Sequence, residues 1–369
     1  MPESSNWTHL HAQLHRTLLQ RQILPSNQRL LVAVSGGQDS LCLIKLLLDL
    51  QPKWGWNLAI AHCDHRWRSD SQSNANHVEN LAKNWGISYY LQTASDIPKT
   101  EAAARQWRYQ ALTEIALAPS KRSERKPAPT GAIPTKRIAH NYPYIVTGHT
   151  ASDRAETLLY NLIRGSGADG LSALTWTRPL ADLGLENLDK NPQSTIYLVR
   201  PLLEITRSQT GQFCQEQKLP IWEDSTNQDL QYARNRIRSQ LLPYLETHFN
   251  PRASTALAQT AELLRADVEY LELAASDLLQ QAMSPIADSQ QVKIQLPVKL
   301  NRQILREAAL ALQRRAMRQV LQQILPSAPS FDSVEKLTSL IVAPNRSQTD
   351  PFPGGAIARV EHPWIAINI

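Results

Sequence analysis

The stretch Leu30-Leu31-Val32-Ala33-Val34-Ser35-Gly36-Gly37-Gln38-Asp39-Ser40-Leu41 decides how the rest of the chain is read. Its first five residues are all apolar, which suits a strand covered on both faces. Leu41, Leu43, Ile44 and Leu47 then recur at helical spacing, so a strand turns directly into a helix. Between them Gly36 and Gly37 permit positive φ and let backbone amides approach a ligand closely. Ser35 and Ser40 add hydroxyls, and the helix N-terminus adds unpaired N–H groups of partial positive charge. Together these form a cradle for an anion. A P-loop of the kinase or GTPase type would place Gly-Lys-Ser/Thr here, and that lysine is missing. The plainer alternative is a tight turn capped by Asp39 and Ser40.

Working outward, apolar runs at residues 58–62, 87–91, 144–147 and 196–199 alternate with helical patterns at 39–50, 71–85, 101–118, 152–163 and 207–217. Strand and helix repeated in this way predict an α/β fold, a doubly wound parallel sheet with helices on both faces. Ligands of such sheets sit at the carboxyl ends of the strands. Two stretches interrupt the alternation. Residues 119–143 hold five prolines and six basic residues, the composition of a mobile insertion, and 180–195 reads as a shorter loop. Beyond about Pro220 the pattern turns helical, over 253–283, 302–325 and 331–340, and ends in short strands around Val360 and at 364–367. The expected division is a nucleotide-binding catalytic domain at 1–218, a helical arm at 219–290 and a mainly helical C-terminal domain at 291–369.

Length and composition agree with a multidomain globular chain. The 369 residues are 42% hydrophobic and 20% charged, with a net charge of +6 and a pI near 9.2. The basic balance gives modest support for a polyanionic partner. No apolar run reaches the roughly 18 residues of a membrane span, so no membrane association is expected. Met1-Pro2-Glu3-Ser4-Ser5 does not open a secretory signal. Cys42, Cys63 and Cys214 are odd in number and widely spaced, which fits a reducing, cytoplasmic location.

The six residues Ser35 to Ser40 resemble the S-G-G-x-D-S signature of the PP-loop ATP pyrophosphatases. The resemblance implies that ATP is cleaved between its α and β phosphates and AMP is passed to a substrate oxygen. It also implies that Asp39 holds Mg²⁺ against the phosphates, a role suited to a cation that takes one or two carboxylates plus phosphate oxygens.

Further segments narrow the family. His62-Cys63-Asp64-His65-Arg66-Trp67-Arg68 follows the second strand; read as a zinc site it lacks a fourth ligand at a sensible spacing. It resembles instead the H-x-D-H-x-x-R segment of tRNA(Ile)-lysidine synthetases, which implies that His62 and Asp64 lie beside the adenosine. Glu101-Ala102-Ala103-Ala104-Arg105-Gln106-Trp107-Arg108-Tyr109 is similar to that family's E-x-x-A-R-x-x-R-Y and would bring Arg105 to the phosphates. Gly148-His149-Thr150-Ala151-Ser152-Asp153-Arg154-Ala155-Glu156-Thr157 resembles G-H-x-x-D-D-x-x-E-T, with Ser152 in place of the first Asp. Asp153 and Glu156, three apart, share one helix face. The resemblance implies a pocket for lysine at His149, Asp153 and Glu156. Arg164 to Leu171, Arg200-Pro201-Leu202-Leu203, Glu223 to Asn227 and Arg234 to Arg238 continue the likeness in order, and Arg200 is taken as substrate-binding.

The reaction so implied is activation of the wobble cytidine of CAU-anticodon tRNA(Ile) by ATP and Mg²⁺, followed by attack of free L-lysine. Asp39, Arg105, Asp153 and Glu156 are the expected catalytic residues. A tRNA thiolation enzyme on the same fold is the main competitor, and the absence of any C-x-x-C argues against it. A small-molecule synthetase and a non-catalytic tRNA binder are the others. Five arginines between Arg302 and Arg318, against Glu307 alone, read either as a phosphate-gripping face or as an ordinary solvated helix. A homodimer is left open.

Overall fold

The structure is a computed structural model that describes residues 7–98, 100–118, 142–183, 195–223, 229–283 and 296–368. Most of the basic insertion at 119–143, the loop residues 184–194 and the segment 224–228 lie outside the described residues. Two compact units divide between Glu262 and Leu263, so residues 219–262 sit within the first unit.

In the first unit the chain runs α1 (His9–Arg21), β1 (Arg29–Ala33), α2 (Gln38–Trp54), β2 (Asn57–Asp64), α3 (Ser71–Asn84), β3 (Ser88–Thr93), α4 (Glu101–Leu117), β4 (Tyr144–Thr147), α5 (Ala151–Ile163), α6 (Ala168–Leu171), β5 (Thr177–Pro179), β6 (Tyr197–Val199) and α7 (Arg207–Glu216). After α8 (Ala233–Arg236), a π turn (Ile237–Leu241) leads into α9 (Leu242–His248), and α10 (Ala253–Ala282) carries the division between units. The sheet order is β3-β2-β1-β4-β6-β5, parallel throughout except for β5, which pairs antiparallel with β6 at one edge. The expected doubly wound sheet is therefore present, with the five anticipated strands parallel and one short antiparallel edge added.

Strand alternation explains why both faces are apolar. Leu30, Val32 and Val34 point into a core shared with α1, α2 and α7, where Leu10, Leu14, Leu43, Leu47 and Phe213 are buried. Leu31 points to the opposite face, against Tyr109, Leu112 and Ile115 of α4. From β1 the strand order runs to β2 and β3 on one side and to β4 and β6 on the other. The order reverses between β1 and β4, and there the carboxyl ends of the strands leave a crevice for ligands.

The second unit holds a three-stranded antiparallel sheet, β7 (Val298–Asn301), β9 (Trp364–Asn368) and β8 (Ile357–Glu361). Against it pack α11 (Arg302–Glu307), α12 (Leu310–Ile324) and α13 (Phe331–Ser339), through Leu305, Met317, Val320, Leu321 and Leu337. The single helix anticipated over 302–325 is two helices. Ala308 and Ala309 are extended between them, and Gln313 Nε2 bonds the Ala308 carbonyl at 2.8 Å across the break. Three of the five arginines are committed inside this unit. Arg302 donates to the Ile341 and Ala343 carbonyls, Arg314 pairs with Glu335 at 2.7 Å, and Arg315 pairs with Glu272. They are not a free phosphate-gripping row.

One buried charge fixes α5 in the first unit. Arg154, 1% exposed, donates to the Leu174 carbonyl at 2.9 Å and pairs with Glu262 at 2.9 Å. Its guanidinium also lies over Trp176, whose other neighbours are Glu262 and Arg21. Removing Arg154 takes a donor from the Leu174 carbonyl and one of two guanidiniums from Glu262, which keeps Arg21 at 2.8 Å and the Trp176 indole. Arg154→Ala is expected to lower unfolding free energy by about 3 kcal/mol, the low end for buried pairs because Glu262 keeps some solvent contact. Urea denaturation followed by circular dichroism measures it; a loss under about 0.5 kcal/mol would mean the pair contributes little.

Candidate active site

The first turn of α2 is built to receive an anion. Its N-cap, Gly37, makes no side-chain cap, so the leading amides of the helix are left for a ligand. Ser40 Oγ donates to the Gly37 carbonyl at 2.8 Å and accepts from the Ser35 amide at 3.2 Å, which folds the loop into a tight ring. Gly36 has φ +89°, and a Cβ there would stand 2.5 Å from Asn74 Oδ1. Asn74 in turn donates to the Ser35 carbonyl, and the Trp222 amide donates to the Gly36 carbonyl at 3.0 Å. The loop is thereby held from outside as well as from within.

Gly148, after β4, completes the mouth. A Cβ at this position would lie 2.9 Å from the Asp39 carbonyl oxygen and 3.1 Å from the Ser40 nitrogen. Only glycine lets the loop following β4 rest on the first turn of α2. That contact brings His149 and Asp153 beside Asp39.

A cavity of about 390 Å³ opens here, lined by Ser35, Gly37, Asp39, Ser40, His62 and Asp64 among others. His62 Nδ1 bonds the Val34 carbonyl at 2.8 Å, so that nitrogen carries the proton, and burial holds the ring below its usual titration range. Asp64 accepts from the Arg66 amide at 2.7 Å. Gln38, expected to bind nucleotide, turns its side chain away, onto the Arg207 carbonyl and Thr210 hydroxyl of α7. Its contribution to the cradle is confined to the backbone.

A second cavity of about 630 Å³ adjoins the first; Trp67, Arg108, His149 and Asp153 line both. Arg105, Glu156 and Arg238 belong to the second. Arg105 was expected at the phosphates, yet it lines this neighbouring cavity, with its guanidinium 5.5 Å from the Tyr109 ring centroid. Arg200, expected to bind substrate, lines neither. It is 2% exposed and donates to the Thr175 carbonyl at 2.7 Å. Burial lowers its pKa, and Tyr109 works against that shift.

Three acids and two arginines join the cavities electrostatically. Arg207 pairs with Asp39 at 3.0 Å, and Thr210 donates a short hydrogen bond to the same carboxylate. Arg238 grips Glu156 through two bonds of 2.7 and 2.9 Å and reaches Asp153 at 3.3 Å. Burial raises the Asp39 carboxyl above its ordinary 3.8; Arg207 opposes that shift and the Asp153 charge adds to it. Burial likewise raises Glu156 against the pull of Arg238. Asp153 behaves differently: burial works against its charge, but His149, Arg238 and the Thr150 amide outweigh it and hold the carboxyl below the usual range. Burial, followed by the Arg200 charge, drives His149 down to about 3, and the ring is bonded to Thr147 at 2.8 Å.

Ser152, where the family pattern has Asp, accepts from the Arg207 amide at 3.1 Å. It anchors the start of α7, and so the arginine that faces Asp39. Arg207, Thr210 and Trp222 escaped the sequence reading, because nothing in their local spacing links them to a loop so far away in the chain. Arg238 belongs to the Arg234 to Arg238 segment, whose pattern alone implies no role for it; it sits in the π turn, a distortion frequent at functional sites.

No group of three or more candidate metal ligands exists among the described residues. Asp39 with Asp153 nearby nevertheless suits Mg²⁺, which completes its shell with phosphate and water rather than with a protein cage.

Two outcomes are expected. Gly148→Ala should cost about 1–3 kcal/mol of stability through overpacking and weaken binding of an ATP analogue, while Gly167→Ala, with open space around it, should do neither; urea denaturation reads the first and calorimetric titration the second. An acid whose folded pKa is raised supports folding only while protonated, so Asp39's contribution is present below about 3.8 and lost as pH rises through the raised value. Asp39→Asn should therefore gain stability relative to wild type between about pH 4 and 7. Urea midpoints across that range check the sign.

A family model for the PP-loop domain matches residues 8–121 and 132–245. The chain is 62% identical over 366 residues to a tRNA(Ile)-lysidine synthase of a Nostoc species, covering 98% of this chain and 97% of the relative. It is 49% identical over 355 residues to a tRNA(Ile)-lysidine synthase of a Synechocystis species, covering 96% of each. Among solved structures, the U34-tRNA thiolase NcsA of Methanococcus maripaludis matches with a TM-score of 0.50 at 17% identity, covering 69% of this chain and 77% of the thiolase, which supports the fold alone. The uncapped glycine loop at the switch point of the sheet thus has a family around it: this chain belongs to the tRNA(Ile)-lysidine synthases, enzymes built on a PP-loop domain.

Proposed function

We propose that the protein is a cytoplasmic ligase that joins free L-lysine to C2 of the wobble cytidine in CAU-anticodon tRNA(Ile), by way of an adenylated cytidine. The observation that carries this reading is the meeting of an anion cradle and an acid-lined cavity at His149 and Asp153. One cavity suits a nucleotide triphosphate. The other holds both carboxylates and guanidiniums, the mixture that an amino acid with a cationic side chain requires.

In the first step the cytidine O2 attacks the α phosphate of ATP, and pyrophosphate leaves. Amides of the α2 N-terminus and the Arg207 guanidinium are placed to offset charge on the departing phosphates. Mg²⁺, held by Asp39 with Asp153 nearby, would supply further neutralisation of the triphosphate. The base must leave its stack to reach the phosphate. In the second step the lysine ε-amine attacks C2, AMP departs, and the amine gives up a proton. Glu156, raised by burial, favours taking that proton, whereas the depressed Asp153 favours staying charged and orienting the ammonium. Arg238 keeps the two acids from repelling one another and fixes their rotamers. Residues 291–369 are assigned to tRNA contact in this reading.

The test is incubation with ATP, Mg²⁺, labelled lysine and total bacterial tRNA. Label is expected in one isoleucine isoacceptor, with the mass of added lysine. Sulfur on the tRNA, or pyrophosphate release without any tRNA, would contradict it. Asp39→Asn is expected to reduce adenylation by about a hundredfold or more while sparing tRNA binding. Unchanged turnover would remove Asp39 from the metal role.

A further inference from the structure

The residues shared by the two cavities locate a third ligand. If ATP occupies one side and lysine the other, the atom that reacts with both must lie where the cavities meet. Trp67, Arg108, His149 and Asp153 line that junction. Among them Trp67 alone offers a broad aromatic surface, and 38% of it is exposed.

The chain spends local structure on holding this indole in place. Arg66, immediately before it, has φ +58°, unusual for a residue with a Cβ, and its amide is tied to Asp64 Oδ1 at 2.7 Å. Trp67 Nε1 donates to the Pro98 carbonyl at 2.7 Å, which fixes the ring plane. Its ring lies 5.5 Å from His65 at an angle of 30°, and His65 meets Trp107 edge-on at 4.7 Å. Arg108 donates to His65 Nε2 at 2.9 to 3.1 Å. The bracing resembles a platform more than a packed core: its anchors are the polar end of the indole and one neighbouring ring, and the side chain still lines both cavities.

Resting on the reaction proposed above, we infer that Trp67 is the surface on which the extruded target base of the tRNA stacks, setting it between the α phosphate and the amine. Stacking is tolerant of base identity, so Trp67 positions the pyrimidine without identifying it. Arg108, at the same junction, adds a cation beside the same site.

The experiment compares full-length wild type, Trp67→Ala and Trp67→Phe. Each is assayed for kcat/KM with unmodified tRNA(Ile) transcript, for affinity toward a nonhydrolysable ATP analogue, and for fluorescence of pyrrolo-cytosine placed at the wobble position. Trp67→Ala is expected to lower kcat/KM for tRNA about ten- to a hundredfold, with analogue affinity within about twofold of wild type. Trp67→Phe should recover most of the loss, because it keeps a ring and loses only the bond to Pro98. The fluorophore should be quenched on binding wild type and Trp67→Phe, and not on binding Trp67→Ala. Equal turnover and equal quenching in all three would overturn the inference. So would equal damage in both variants accompanied by lost analogue affinity, since the indole would then only brace its loop. A wild-type protein that transferred no lysine would remove the proposed reaction, and the quenching would still decide the stacking.

Discussion

The loop after β4 lies on the first turn of α2 with no space for a side chain between them, and the chemistry depends on that contact. Gly148 against the Asp39 and Ser40 backbone is what sets the amino end of α5 beside the amino end of α2. Two helix N-termini then converge on one crevice, where the parallel sheet reverses its strand order. The first leaves its amides uncapped by any side chain. The second is capped by Thr150 and Asp153, and it presents Asp153 and Glu156 one turn apart. One terminus attracts a phosphate and the other carries the acids. In the proposed reaction this would hold substrates of opposite charge within reach of each other.

Burying three carboxylates so close together would be costly if they were left alone. Arg207 and Arg238 offset part of this cost, and each is delivered by an element remote in sequence. Arg207 opens α7, where Ser152 and Gln38 hold it from either side. Arg238 comes from a π turn, which shifts its helix face toward α5. The Asp153 and Glu156 shifts diverge because their neighbours differ. At Asp153 the influence of His149, then of Arg238 and the Thr150 amide, outweighs burial, whereas at Glu156 burial outweighs Arg238. Two carboxylates three residues apart thus acquire different capacities to hold a proton, which in the proposed reaction would let one pocket both orient and deprotonate an amine.

Much of the fold was legible because its signals are local. The five parallel strands and the helices between them follow from apolar periodicity, and β4 falls on its anticipated bounds at Tyr144–Thr147. What escaped was set by distant contacts. α1 has Leu10, Leu14 and Leu18 on one face, a pattern visible but surrounded by polar residues. β5 is three residues ending in Pro179, tolerable only at a sheet edge, and it has no periodicity to read. In the second unit, helix propensity runs unbroken through Ala308 and Ala309, yet the chain parts there. At the site, the glycine loop, His62, Asp64, His149, Asp153 and Glu156 all gather at the two joined cavities. Arg105 falls in the second cavity, Arg200 in neither, and the side chain of Gln38 points away, because motif order reports proximity to a site without saying which way a side chain turns. Arg207 and Thr210 reach Asp39 only through the folded sheet, so no local pattern could announce them.

The proposed chemistry requires that the main-chain nitrogens at the amino end of α2 hold the triphosphate. A crystal structure with an ATP analogue carrying a methylene between its α and β phosphates tests it most directly. Phosphate oxygens within about 3.2 Å of the amides of residues 37–40 are the expected result. A nucleotide bound elsewhere, with only solvent at those amides under saturating analogue, would contradict the account.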